Sequence, residues 1–169
     1  NSAPETVTRL LDMGMDPFNF ADSLLAVLAQ RLVRRLCSEC RISEHASEDF
    51  VEELLDDYLH SFPVDLRPVR EMVRDQWLTE FGSEGRLTHF SAPGCSHCQG
   101  SGMNGRVGMH ELMLVSPGVR RLIQTSARPE LLQHESMQHG HMRTLRQDGI
   151  YKVLGGLTSI DEVRASSNA

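Results

Sequence analysis

Two Cys-x-x-Cys pairs constrain this chain more than any other feature. Cys37-Ser38-Glu39-Cys40 is the first and Cys95-Ser96-His97-Cys98 the second, and the 169 residues contain no further cysteine. Two such pairs with nothing left over make the ligand count of a tetrahedral zinc site. Two residues between ligands let one tight turn aim both sulfurs at a single point. The fifty-four residues between Cys40 and Cys95 exceed the roughly 15–20 of the common pattern. Closing the longer loop costs about 1 kcal/mol more, against on the order of 10 kcal/mol or more supplied by a structural zinc. Disulfides need an oxidising compartment, and no signal peptide is visible. A redox Cys-x-x-Cys opens a helix after a strand, whereas Cys37 follows what reads as a helix end, Leu32-Val33-Arg34-Arg35-Leu36. The expectation is a structural zinc ion held by Cys37, Cys40, Cys95 and Cys98. Four thiolates leave no open position for water, which argues against catalytic zinc.

A net charge of −6 disfavours generic nucleic-acid binding, and no apolar run approaches the length of a membrane span. Lys152 is the only lysine, and it follows Tyr151. A phosphate-binding Gly-x-x-x-x-Gly-Lys-Ser/Thr is therefore absent from this chain. No Gly-x-Gly-x-x-Gly stands in a strand-to-helix setting either. The opening Asn1-Ser2-Ala3-Pro4 lacks an initiator methionine and reads as a cut edge or a tag remnant.

The apolar periodicity predicts a short helix from Pro4 to about Met13, stopped at Gly14. Asp16-Pro17 then opens a long helix through Leu36 with a broad apolar stripe. Arg31, Arg34 and Arg35 cluster in its last turns. They read either as a solvated, dipole-favoured helix end or as compensation for the −2 charge of a zinc tetrathiolate. Two amphipathic helices follow, from Ser47 to His60 and from Leu66 to Phe81, forming a hairpin. It is expected to lie outside the zinc subdomain, with its acidic face in solvent, and to be dispensable for metal binding. Leu87–Phe90 and Arg106–Val115 read as strands. Ser116-Pro117 and Pro129 open helices, Met142–Leu154 reads as a helix bent near Gly149, and Thr158–Val163 as a capped final turn. Residues 165–169 are expected to fray. His134, His139 and His141 invite a metal reading, but surface histidines near a helix end explain them better.

Several segments together resemble the secretion ATPases of type II secretion and type IV pilus assembly, the GspE/PilB group. Arg9-Leu10-Leu11-Asp12-Met13-Gly14 is similar to the stretch after that family's histidine box. Ala29-Gln30-Arg31-Leu32-Val33-Arg34-Arg35-Leu36-Cys37-x-x-Cys40 matches its following helix and first zinc knuckle. Gly94-Cys95-x-x-Cys98, then Gly102-x-x-Gly105-Arg106-x-Gly108 and Glu111, matches the second. Asp148-Gly149-x-x-Lys152-Val153 and Gly156-Leu157-Thr158-Ser159-x-x-Glu162-Val163 match its C-terminal signature. Met103 replaces an aromatic residue, and residues 44–85 look longer than usual between knuckles.

The resemblance implies an α+β, mainly helical chain. Residues 1–36 would be C-terminal helices of a RecA-like ATPase domain. Residues 37–115 would be a tetracysteine zinc subdomain with a short β-hairpin and a helical-hairpin insertion (44–85), and residues 116–169 a C-terminal helical region. The fragment would serve a structural and docking role with Zn2+ as its cofactor. ATP and Mg2+ would belong only to the full-length protein, a homo-hexameric motor driving pilus or pseudopilus assembly and protein export. Its partners would be inner-membrane platform and cytoplasmic adaptor proteins, and its place the cytoplasm, peripheral to the bacterial inner membrane. No nucleic-acid partner and no transmembrane segment are implied.

Two rivals remain in view. Cys95-x-x-Cys98-x-Gly100-x-Gly102 also matches one repeat of a DnaJ-type cysteine-rich domain, which would make the chain a self-standing zinc-ribbon protein-binding module. A zinc or thiol enzyme would need an open ligand position or an activated nucleophile. With no Gly-Lys-Ser/Thr, the purified chain is expected to release no phosphate from ATP above buffer. Phosphate release that scales with protein concentration would overturn that expectation.

Overall fold

The computed structural model describes residues 2–167. Ser2 starts helix α1 (Ala3–Asp12) with a reciprocal capping box. Its N–H donates to Glu5 Oε2 at 3.0 Å, and the Glu5 N–H donates to Ser2 Oγ at 3.3 Å. Asp16 caps α2 (Pro17–Ser23) by accepting from the Asn19 N–H at 2.8 Å.

The long helix expected after Asp16 ends at Ser23, and this corrects the sequence reading. Residues Ala26–Leu36 form strand β1, which pairs with β4 (Met103–Leu114). Leu, Ala, Gln and Arg favour a helix only by tenths of a kcal/mol each. A partner strand of matching length offers backbone hydrogen bonds along the whole segment and outweighs that preference. Val27 and Ala29 are half-buried while Leu28 and Gln30 are exposed, so a period of two lies under a pattern that also fits helical spacing. Residues 1–36 therefore contribute two helices and a strand.

The backbone divides into two compact units. The first comprises the chain up to Gln30 together with His110–Leu145. Its core gathers Ala3 and Val7 of α1, Phe20 and Ala21 of α2 and Met113 of β4. Val119 and Ile123 of α5 (Pro117–Gln124), Leu132 of α6 (Pro129–Gly140) and Met142 complete it. Buried Glu111 accepts the Ala3 N–H at 2.6 Å on Oε1 and the Leu145 N–H at 3.2 Å on Oε2. Burial pushes its carboxyl above the ordinary range, against the opposing pull of those two N–H groups.

The second unit comprises Arg31–Met109 and the chain from Arg146 onward. A strand not anticipated from the sequence, β2 (Ile42–His45), pairs antiparallel with β3 (Thr88–Ser91), Ile42 facing Ser91 and His45 facing Thr88. All four β2 residues are exposed, so no alternation of burial marked it. Helix α3 (Glu48–His60) packs against α4 (Arg70–Phe81). The latter begins four residues later than expected, because Pro68 disfavours helical geometry at the residue before it.

The hairpin does not stand apart. Fully buried Trp77 meets Tyr58 edge-on, with ring centres 5.3 Å apart, and Tyr151 of α7 (Leu145–Leu154) touches both Tyr58 and Phe81. The acidic face is likewise paired rather than merely solvated. Arg70 bonds Glu52 and Asp56, and Arg74 bonds Glu48 and Glu52. Arg164 of α8 (Ile160–Ser166) reaches Asp57 at 2.7 Å and Glu53 at 2.6 Å. Exposed pairs of this kind contribute little individually. Arg146 differs because its side chain is buried; it faces Asp57 at 3.4 Å and donates to the Ser167 hydroxyl and carbonyl at 2.8 and 2.7 Å. Such a charge is costly to leave unpaired. These bonds hold residues 165–167 in place, against the expected fraying; residues 168–169 lie outside the described residues.

Helix α7 runs through Gly149 without ending, where a bend was expected. The glycine is there for space. A Cβ would sit 2.5 Å from Val163 Cγ1 and 2.7 Å from Met109 Sδ. In a solvated helix Gly→Ala stabilises by about 1 kcal/mol. Here overpacking reverses the sign, and Gly149→Ala is expected to destabilise by roughly 1–3 kcal/mol in urea melts. A raised midpoint would contradict the close packing of α7 on α8 and β4.

Candidate metal centre

The end of β1 delivers Cys37, and a turn brings Cys40 back toward it, the Arg41 N–H donating to the Cys37 carbonyl at 2.9 Å. Cys95 and Cys98 lie on the turn between β3 and β4, where the Gly100 N–H donates to the Cys95 carbonyl at 2.9 Å. The four sulfurs all fall within 4.8 Å of one another. Cys37 and Cys95 are 3.9 Å apart, Cys40 and Cys98 3.9 Å, and Cys95 and Cys98 3.8 Å. A zinc tetrahedron with bonds of about 2.3 Å has edges of about 3.8 Å. This cluster can therefore hold a metal ion such as zinc. Among the described residues, no other group of three or more Cys, His, Asp or Glu side chains has metal-binding spacing.

Cys37 and Cys98 are buried, and Cys40 and Cys95 half-buried. The Cys98 sulfur accepts the Cys95 and Gly102 N–H groups, each at 3.2 Å. That donation, led by Cys95 and opposed by desolvation, pulls the Cys98 thiol down to about 6. Desolvation leads at Cys40 and pushes its thiol up to about 12.

A protein-family model described as type II/IV secretion system protein matches residues 1–165. The chain belongs to this family. It is 34% identical over 165 residues to the "Type IV pilus assembly ATPase PilB" of Thermus thermophilus, covering 98% of this chain and 16% of that protein. It is 37% identical to the "Type II secretion system protein E" of Aeromonas hydrophila, covering 96% of this chain and 27% of that protein. To the "Type II secretion system ATPase E" of Vibrio cholerae it is 35% identical, with the same two coverages. The chain thus spans only about a sixth to a quarter of the length of these relatives.

In this family member the segment after α7 lies against the strand and turn that carry the first cysteine pair. The Leu36 N–H donates to the Leu157 carbonyl at 2.9 Å, and Thr158 Oγ1 donates to the Arg34 carbonyl at 2.7 Å. Arg41, one residue past the first knuckle, donates to the Gly156 carbonyl at 2.6 Å and lies 5.3 Å from the Phe90 ring centre. The sequence reading had missed Arg41; its position beside Cys40 was the available signal. Arg34 lies on strand β1 and not at a helix end. It donates its backbone N–H to Glu162 Oε2 at 3.0 Å and its guanidinium to Glu162 Oε1 at 2.9 and 2.5 Å. No helix of the described residues is long and apolar enough to cross a membrane.

The Arg34 guanidinium hydrogen bond holds the Glu162 carboxyl below the ordinary 4.5, against partial desolvation. A lowered folded value means stability that is complete above the ordinary carboxylate range and lost as pH falls through the folded value. Carbon-detected NMR titration should give Glu162 a midpoint below 4.5, and Arg34→Met should move that midpoint upward. An unshifted midpoint in both proteins would remove the pair from the pH response.

Proposed function

We propose that this chain is the C-terminal, zinc-holding part of a motor ATPase of protein secretion or pilus assembly, with a structural and docking role. Membership of the secretion family supplies the class. The observation that carries the local role is the cluster of four sulfurs within 4.8 Å of one another, with three separations of 3.8–3.9 Å, and with two N–H groups aimed at the Cys98 sulfur. In this reading Cys37, Cys40, Cys95 and Cys98 hold one Zn2+. The ion supplies a cross-link between the start of the inter-knuckle segment and its end.

Four protein ligands saturate zinc, so the role is structural rather than hydrolytic. Residues 1–36 then close a RecA-like core with α1, α2 and β1. Residues 37–115 form the zinc subdomain with the 44–85 insertion, and residues 116–169 the final helical region. ATP hydrolysis with Mg2+, assembly into a hexamer, and docking on inner-membrane platform and cytoplasmic adaptor proteins belong to the whole protein. Its site is the cytoplasmic side of the inner membrane.

Elemental analysis of protein purified without chelator should give one zinc per chain. Cys95→Ser should lose that zinc and lower the melting temperature, because metal binding contributes directly to folding free energy. Absence of zinc from the wild-type protein, or a Cys95→Ser variant with unchanged zinc content, would refute the proposal.

A further inference from the structure

Gly102 contributes no metal ligand, yet its backbone touches both halves of the cluster. Its N–H donates to the Cys98 sulfur at 3.2 Å, within the second knuckle's reach. Its carbonyl accepts the Cys37 N–H at 2.9 Å, at the root of the first knuckle. One peptide residue thus links the sulfur of one pair to the backbone of the other, although Cys37 and Cys98 stand far apart in sequence. Neighbouring bonds fix this residue from either side. The Ser101 N–H donates to the Cys98 carbonyl at 3.1 Å, and the Met103 N–H to Ser101 Oγ at 3.2 Å.

Space around Gly102 is closed as well. Its φ is +71°, and an added Cβ would overlap the Ala92 carbonyl oxygen, a backbone atom that no side-chain rotation can move. Gly85, in the turn before β3, provides a natural contrast. It has a similar φ of +74°, but nothing stands within 4 Å of its Cβ position. Backbone strain alone is therefore common to both glycines, and only Gly102 combines it with a bridge and a closed approach.

We propose that Gly102 is the positioning residue of the metal centre, holding the two Cys-x-x-Cys turns at ligand spacing through its N–H to Cys98 and its carbonyl to Cys37. The proposal rests on the zinc reading above. Hydrogen bonds to a ligating sulfur direct its lone pairs and stabilise its anionic form, and partners of this kind alter metal affinity on the order of 10- to 100-fold. A side chain at residue 102 must push the backbone off Ala92, which breaks both bonds together.

The experiment compares wild type, Gly102→Ala and Gly85→Ala by competition for Zn2+ with a chromogenic chelator, and by the ligand-field spectrum of the Co2+-substituted proteins. Gly102→Ala is expected to bind Zn2+ on the order of 10- to 100-fold more weakly and to distort the Co2+ bands. Gly85→Ala should keep wild-type affinity and spectrum. A second measurement uses wild type alone and does not depend on any variant folding. Loaded with spin-active cadmium, it should show scalar coupling between the metal and the amide protons of Gly102 and Cys95, transmitted through the Cys98 sulfur. Equal affinities for the two variants, or no coupling at the Gly102 amide in a loaded protein, would overturn the role of Gly102 alone. A wild-type protein that takes up neither zinc nor cadmium would overturn the zinc reading and the Gly102 role with it.

Discussion

Four sulfur atoms from two distant turns converge to within 4.8 Å, and the surrounding fold can be understood as what makes that convergence tolerable. Thiolates at such distances repel one another unless a cation neutralises them, so an ion at their centre would supply the missing attraction. The chain prepares the meeting with backbone groups rather than side-chain charges. Two N–H groups point at the Cys98 sulfur, and the Cys37 N–H is anchored across to Gly102. Arg34 turns to Glu162, and Arg41 to Gly156 and Phe90.

The residues between the two knuckles must return to their starting point for the cluster to form. The β2–β3 pair closes the neck of this excursion in register, and α3 with α4 fills it. What keeps the excursion from being a loose appendage is its contact with the last helices. Tyr58 and Phe81 pack on Tyr151, Trp77 packs on Tyr58, and Asp57 faces both Arg146 and Arg164. Loss of the Asp57 carboxylate would remove an acidic partner of the buried Arg146 guanidinium, which also donates to the Ser167 oxygens. The hairpin and the C-terminal segment therefore share one core within the second unit. The acidic face that looked like a solvated surface in the sequence is largely the opposite half of an arginine network.

Local signals in the sequence were reliable where chemistry acts over a few residues. Ser2, Asp16, Ser47, Ser116 and Ser159 all cap helices, because a short side-chain oxygen reaches an N–H two or three residues on. The cysteine pairs were legible for the same reason, since Cys-x-x-Cys is a turn with two sulfurs on one side. Failure came where two periodicities overlapped. Residues 26–36 fit a helical stripe and an alternating strand about equally well, and β4, some seventy residues away, decided between them. Strand β2 had no apolar alternation to read, because its pairing with β3 is made by backbone groups and both its faces are open.

The sequence by itself determined the two cysteine pairs, the capped helix starts at Asp16, Ser47 and Ser116, and the absence of a phosphate-binding loop within these residues. Each depends on residue identity and short spacing. The tertiary structure decided which segments became neighbours. It converted a predicted helix into β1, set Arg34 on Glu162, and revealed Gly149 as a site of close packing. It also exposed the double use of Gly102. Hydrogen-bonding groups of the backbone are identical at every residue, so no sequence pattern distinguishes the peptide that bridges two knuckles from one that does not. Only the fold, by bringing Cys37 and Ala92 to either side of it, gives that glycine its role.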